Sequence, residues 1–325
     1  MDLTQVGTMT MSESVSAAIH IQGPLLRCIE LAWKDSGPSL RRYGHRTFEV
    51  DLGRVLWGEG ASPEALDRVE AAVEEELGGT EASKIGVVFP PMEAFSFFTP
   101  ISAGLPERDR AQHVVQQAAL VAGVRSPDSL SITSQVVRTV DKEDEEPIEW
   151  IHVLAKPEAV DERIEALVAA LPAQRGSHRV SSEAAARLVG RAEADGGADK
   201  KSETSGPYSL AVGQYATHTE YTLTHDQVWH HAHVSQDPQS PANQAYFAVS
   251  FLNRIHVPLG EVGHLYLYGD EADRDEHGPL EGLLGRSPEL LDPFQILSEL
   301  PERPERGTAV SYVPCMGAAL SSAPH

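Results

Sequence analysis

The stretch SLAVGQYATHTEYTLTHDQ, residues 209–227, has the pattern of a phosphate-binding hairpin. It reads as a strand with Gly213 near its end, a tight turn and a second strand. A glycine there lets backbone N–H groups approach a phosphate, and such stretches often carry an acidic residue just before it. Here Val212 stands at that place. The residues leave three interpretations open: a nucleotide site, the remnant of one, or a plain hairpin.

A second candidate for chemistry is the histidine-rich strand WHHAHV, residues 229–234. His231 and His233 alternate, so on a strand they share one face and could ligate one metal ion, while His230 points the other way. No cysteine, glutamate or histidine follows at a zinc-finger spacing. The pattern therefore favours a solvated or half-buried strand face over a metal site.

Catalytic signatures are missing from the rest of the chain. There is no GxxxxGK[ST], GxGxxG, HExxH, GxSxG or CxxC motif. Serine, histidine and aspartate are plentiful, but nothing places a serine on a strained elbow. The acidic run DKEDEEP, residues 141–147, could bind a cation but is typical of a solvated turn. These absences predict a protein without catalytic or metal-ligating residues.

Composition narrows the class of protein further. The 325 residues are 41% hydrophobic, which is enough for a packed core. The net charge of −22 repels nucleic-acid phosphates and anionic lipids, so neither is an expected partner. No segment reaches the roughly 18 apolar residues that span a bilayer, and residues 1–16 lack the basic region and the apolar run expected of a signal peptide or an anchor. Cys28 and Cys315 form no redox or metal motif and are expected in a reduced core, in a cytoplasmic protein.

Helices and strands alternate along the chain, which predicts an α/β protein. The clearest helix is SPEALDRVEAAVEEELGG, residues 62–79, with Ser62 as its cap and two glycines at its end. Residues 1–16 are predicted to form a flexible tail, and the Gly- and charge-rich residues 193–206 a linker. A strand–glycine–strand pattern occurs near residue 20 and again near residue 213. Two such halves joined by a linker indicate two lobes.

The order of these elements resembles the PilM family, actin-like proteins of type IV pilus assembly. The resemblance covers most of residues 17–320 and lies in order and pattern rather than in identical positions. The stretches that carry it are IHIQGPLLRCIELAWKDSGPSLRRYGHRTFEV, KIGVVFPPMEAFSFFTPISAGLPERDRAQHVVQQAAL, IEWIHVLAKPEAVDERIEALVAAL, LLDPFQIL and YVPCMGAAL. The fold that it implies is a two-lobed actin-like one, a duplicated ribonuclease H-like α/β fold.

The resemblance also implies where a nucleotide would bind. In active actin-fold ATPases, two glycine hairpins with acidic residues and a later Gly-Gly meet in the cleft between the lobes. The matching positions here are Gly23, Gly213, Thr217 and Gly269. The acids are replaced by Gln22 or His20 and by Val212, and Asp270 replaces the second glycine of the Gly-Gly pair. These departures predict a remnant of a nucleotide site with no bound cofactor, with ATP binding as the alternative.

The resemblance finally implies a domain layout. Residues 17–192 would form the first lobe with an inserted subdomain at 84–155, and residues 207–325 a reduced second lobe. A C-terminal helix at 312–320 would return to the first lobe. PilM holds a short peptide of a membrane partner in a groove of its first lobe. We therefore expect a non-enzymatic scaffold with a protein partner, and as the alternative a nucleotide-binding switch.

The charge leads to a first prediction about stability. With 48 acidic residues against 26 lysines and arginines, the folded chain repels itself, and salt screens that repulsion. We expect the melting temperature to rise with KCl well past physiological ionic strength. Thermal unfolding in 0.1 M and molar KCl measures this, and an unchanged or lower melting temperature in molar KCl would contradict it.

Overall fold

A computed structural model describes most of the chain. The described residues are 14–58, 63–142, 145–169, 171–172, 177–195, 206–236, 240–273, 277–300 and 304–322. Most of the predicted tail and linker lies outside these ranges, as does the predicted helix cap Ser62. None of the described helices has both the length and the apolar character needed to cross a bilayer.

Thirteen strands and nine helices alternate along the described chain. The strands are β1 Ser14–Gln22, β2 Leu25–Lys34, β3 Gly37–Thr47, β4 Ile85–Phe89, β5 Phe95–Ser102, β6 Leu130–Lys142, β7 Glu145–Pro157, β8 His178–Val180, β9 Tyr208–Tyr215, β10 His218–His225, β11 Val228–Ser235, β12 Val262–Tyr268 and β13 Glu289–Leu290. The helices are α1 Leu52–Trp57, α2 Pro63–Leu77, α3 Glu107–Ala122, α4 Glu158–Ala169, α5 Ser181–Asp195, α6 Pro241–Arg254, α7 Gly278–Leu284, α8 Arg306–Ala309 and α9 Val313–Ser321.

Two of the three sheets share one topology. The first sheet has the order β3-β2-β1-β4-β8 and the second the order β11-β10-β9-β12-β13. In each, three consecutive antiparallel strands are followed by two parallel ones. This duplication places the two glycine-containing hairpins, β1–β2 and β9–β10, at the same position of their sheets. The α/β fold with two related lobes is the one predicted.

The third sheet is antiparallel, with the order β5-β7-β6, and α3 covers one of its faces. Ile101, Val114, Ala118 and Val153 are buried between the helix and the sheet. We call residues 95–157 the subdomain. The predicted boundary at residue 84 is too early, because Ile85–Phe89 pairs with β1 and completes the first sheet.

Other boundaries differ from the predicted ones for local reasons. β1 begins at Ser14, inside the predicted tail, because Ser14 to Ser16 pair with the last residues of β2, and Trp33 Nε1 donates to Ser16 Oγ at 2.9 Å. α5 continues to Asp195, whose carboxylate pairs with Arg191 one turn earlier at 2.8 Å. The short helix α1 was not predicted. The sequence feature that indicates α1 is its N-cap, Asp51, whose side chain accepts a hydrogen bond from the backbone N–H of Arg54.

Helices α5 and α9 lie side by side at the centre of the molecule. α9 packs on β1, β2 and β4 of the first sheet. Its buried residues share one apolar cluster with α5 and with Ala211, Tyr215 and Tyr268 of the second lobe. This cluster holds the two lobes together by direct packing, and it contains the free thiol of Cys315.

The close contact between α5 and α9 predicts that a methyl group added at Gly317 destabilises the fold. A Cβ at Gly317 of α9 would lie 1.9 Å from the carbonyl oxygen of Ala184 of α5, so the backbones would have to separate. We expect Gly317→Ala to destabilise the fold by about 1–3 kcal/mol in denaturant unfolding. The matched control is Gly282→Ala in α7, where a Cβ meets nothing within 4 Å. The control should be neutral or stabilising, and equal effects would contradict the predicted clash.

Candidate functional site

The two lobes meet through a group of buried polar side chains. We call this group the interlobe polar cluster, and its members are the buried residues His20, Arg27, Ser181, His218, Glu220 and Tyr268, with the partly exposed Asp270 at its edge. Arg27 of β2 forms an ion pair with Asp270, which follows β12. The Arg27 side chain is 7% exposed and that of Asp270 22%. Burial raises the pKa of Asp270 although Arg27 opposes this, so the pair lies in a poorly solvated place.

Glu220 of β10 is the most deeply buried acid of the cluster, with no exposed surface. Its carboxylate accepts hydrogen bonds from Ser181 Oγ at the start of α5, from Tyr268 Oη at 2.8 Å and from His218 Nε2 at 3.1 Å. A buried carboxylate needs such partners because it has lost its water. Glu220 therefore ties the helix between the lobes to two strands of the second sheet.

His20 of β1 lies opposite Arg27 and is fully buried. Neither ring nitrogen has a hydrogen-bond partner among the described residues. Burial is the main reason why the pKa of His20 lies well below its usual value, and the charges of Arg27 and His218 lower it further. His20 is therefore a neutral ring at neutral pH and adds no charge to the cluster.

The structure brings together some of the predicted nucleotide-site residues and not others. Gly213 pairs with Tyr268, so Gly213 and Gly269 are neighbours on adjacent strands. Thr217 lies beyond them, exposed in the β9–β10 turn, with Oγ1 3.0 Å from His218 Nδ1. Gly23 belongs to the other lobe, where its φ of 54° serves the β1–β2 turn.

Protein atoms occupy the space beside the two neighbouring glycines. A Cβ at Gly213 would lie 2.5 Å from the ring of Tyr268. Gly269 has a φ of 100°, and a Cβ there would lie 2.2 Å from the carbonyl oxygen of Gln214. Both glycines thus allow close packing of the second lobe on itself.

The alternation of side chains along β9 decides which of its residues face the other lobe. Val212 is not at a position facing the lobe interface, because it points into the core of the second lobe with Leu210. The residues of β9 that face the interface are Ala211 and Tyr215. Asp270, which stands at the second position of the expected Gly-Gly pair, forms an ion pair with Arg27.

The histidine-rich strand β11 packs against the subdomain. The ring of His231 lies 4.3 Å from that of Phe98, and Trp229 lies 5.0 Å from Phe98 and 4.6 Å from His152. Burial lowers the pKa of His231 and His233 to about 4, so both rings are neutral at pH 7. Within the described ranges, no three histidine, cysteine or acidic side chains are grouped to hold a metal ion. The strand is a packing surface.

A groove separates the subdomain from α5. A cavity of about 410 Å³ adjoins one of about 230 Å³, and Gln135 and Glu183 border both. We call the two together the subdomain groove. Its walls are residues 133–137 of β6, His152, Leu154 and Lys156 of β7, residues 177–179, Glu183, Ala186 and Arg187 of α5, and residues 227–229. These residues are far apart in sequence, which is why no local motif signals the groove.

Comparison with known proteins identifies the fold. No protein-family model matches the sequence, and no curated protein sequence is significantly similar to it. A solved PilM–PilN type IV pilus biogenesis complex matches with a TM-score of 0.67 at 14% identity, over 95% of this chain and 98% of that one. A Bacteroides thetaiotaomicron protein with an actin-like ATPase fold and unknown function matches with a TM-score of 0.50 at 9% identity, over 88% and 94%. The chain has the actin-like fold that was predicted.

The Arg27–Asp270 pair predicts a large effect of removing its acid. Asp270→Ala leaves a buried guanidinium without its partner and should destabilise the chain by about 2–4 kcal/mol. The control is Glu299→Ala, which breaks an exposed pair with Lys34 at 2.6 Å and should cost less than about 1 kcal/mol. Urea unfolding measures both. Similar losses for the two variants would show that the interlobe pair is solvated.

The buried histidines predict acid sensitivity. The pKa of His231 is about 4 in the fold and about 6.5 when unfolded, so between these values the unfolded chain binds a proton that the folded chain does not. Stability therefore falls as the pH drops from 6.5 towards 4. His231→Phe should reduce that slope by up to about 1.4 kcal/mol per pH unit. Denaturant unfolding at several pH values tests this, and an unchanged slope would contradict a neutral His231.

Proposed function

We propose that this chain is a non-enzymatic scaffold protein of the PilM type, which binds a protein partner through the subdomain groove. The assembly that it serves is pilus-like or otherwise associated with the cell envelope, and the scaffold works on its cytoplasmic side. The partner contributes a short peptide, and the space between the lobes holds no nucleotide.

The observation that carries this proposal is the interlobe polar cluster. Phosphate transfer needs acidic side chains free to hold Mg²⁺, because the metal neutralises the phosphate charge. Here Asp270 is paired with Arg27, and Glu220 already accepts three hydrogen bonds. Gly23, Gly213, Thr217 and Gly269 are then remnants of nucleotide loops that now serve turns and packing.

The choice of the groove as the partner site follows from fold and shape. The solved structure with a TM-score of 0.67 is a PilM–PilN complex, so this fold is found bound to another protein. The cavity of about 410 Å³ has the size of sites that hold small ligands or a few side chains. It opens between the subdomain and α5, and this agrees with the expectation of a peptide groove in the first lobe.

A nucleotide titration tests the non-enzymatic part. With Mg²⁺ present, ATP should bind more weakly than about millimolar, which corresponds to less than about 4 kcal/mol. Phosphate release should not exceed a blank without protein. Calorimetry and a phosphate assay measure these quantities. Micromolar binding would overturn the proposal and favour the nucleotide-binding switch.

Site-specific crosslinking in cells tests the partner part. A photoreactive benzoylphenylalanine at Val136, which is 47% exposed beside the groove, should crosslink to a protein with a membrane-spanning segment. The matched control is the same group at Leu283, which is 50% exposed on α7. Equal products from the two positions, or none from Val136, would contradict partner binding in the groove.

A further inference from the structure

The subdomain groove is bordered by strands that are outermost in their sheets. β6 is the last strand of the three-stranded sheet, β8 of the first sheet and β11 of the second. Residues 133–137 of β6 form one wall of the groove. An edge strand presents backbone N–H and C=O groups that an extended peptide can pair with. The groove thus favours an extended occupant over a helical one.

The charge at the centre of the groove is unbalanced. Arg179 and Arg187 both approach the same oxygen of Glu183, the first as a direct ion pair and the second at 4.0 Å. Among the residues described, no other carboxylate is within ion-pair distance of either guanidinium. Arg179 Nε is buried without a hydrogen-bond partner in that part of the chain. One positive charge therefore remains for an incoming anion.

The end of the groove next to β11 combines apolar side chains with polar ones such as Gln135 and Gln227. Val136 and Val228 are 47% and 55% exposed on its two sides, and Ala186 and Trp229 are buried in its walls. Such exposure of β-branched side chains beside a cavity suits the burial of an aliphatic side chain. Glu183 borders both cavities, so the two arginines that approach it lie next to these valines.

We propose that the partner of this groove is an extended protein segment that places a carboxylate against Arg179 and Arg187 and an aliphatic side chain between Val136 and Val228. The inference rests on the proposed function and specifies the chemistry of its partner. The net charge of −22 repels acidic peptides from the rest of the surface, so the excess positive charge here gives selectivity for this one place.

Peptide selection on the full chain provides the probe. A random heptapeptide library displayed on phage is selected against the protein, and the enriched consensus peptide is synthesised. We expect the consensus to contain an aspartate or glutamate near a valine, isoleucine or leucine. Calorimetry then compares this peptide with its asparagine or glutamine analogue, which should bind at least about tenfold more weakly. A free C-terminal acid and a C-terminal amide distinguish a terminal carboxylate from a side-chain one.

Two exposed arginines of α5 provide the matched variants. Arg187 and Arg191 have side chains that are 47% and 46% exposed, and only Arg187 faces the groove. Arg187→Gln should remove most of the difference between the acidic peptide and its amide analogue, and Arg187→Lys should keep part of it. Arg191→Gln should leave the difference unchanged. Circular dichroism of each variant confirms that it is folded.

N-methylated peptides test whether the bound segment pairs with an edge strand of the groove. N-methylation of alternate peptide bonds removes the N–H donors on one edge of an extended peptide, so one of the two alternating patterns should weaken binding at least about tenfold and the other should not. Equal effects of both patterns would overturn the extended arrangement.

The outcomes separate this inference from the proposed function. An enriched peptide without an acid, or an Arg187→Gln variant that keeps the full preference, overturns the inference. If Val136 still crosslinks to a membrane partner in that case, the scaffold proposal stands. No enrichment over a protein-free surface, together with no crosslink from Val136, overturns both.

Discussion

The buried carboxylate of Glu220 is the constraint on which the joining of the lobes depends. A charge with no exposed surface is tolerated only when hydrogen bonds replace its water, and its donors come from α5, β10 and β12. These elements must therefore hold one arrangement. The apolar cluster around α9 supplies the packing energy of the same interface, but apolar contact is not directional and does not by itself select that arrangement.

The helix α5 connects this interface to the subdomain groove. Its first residue, Ser181, donates to Glu220, and Glu183 two residues later holds Arg179 and approaches Arg187 in the groove. A shift of the start of α5 would thus change the polar contacts on both sides at once. The joint between the lobes and the wall of the groove thus share one helix.

Aromatic rings form the contact between the subdomain and β11, beside a polar contact from Arg138 to the ring of His230. Phe98, His152, Trp229 and His231 pack at centroid distances between 4.3 and 5.2 Å. Burial keeps the pKa of His152 at about 3 and that of His231 at about 4, so the histidines act as uncharged aromatic groups at neutral pH. This contact makes β11 of the second lobe a neighbour of the subdomain, and it brings Val228 to the groove.

The sequence by itself determined the class of fold and the longer helices and strands. Alternating apolar patterns and helix-ending glycines, such as the pair at the end of the predicted helix at residues 62–79, act over a few residues, so they can be read without knowing the rest of the chain. The repeated strand–glycine–strand pattern and the resemblance to PilM were enough to predict two actin-like lobes. The short elements α1, α7, α8 and β13 were not predicted, because segments of two to seven residues carry little periodicity.

Only the tertiary structure decided what the singled-out residues do. Val212 and Ala211 are adjacent in sequence but face different cores, and which one faces the other lobe depends on the register of β9 against its neighbours. The partners of Arg27 and Glu220 lie 243 and 39 residues away, at Asp270 and Ser181. The groove is likewise built from five separate segments. Pairings across such distances depend on how whole sheets pack, and no local pattern of residues specifies them.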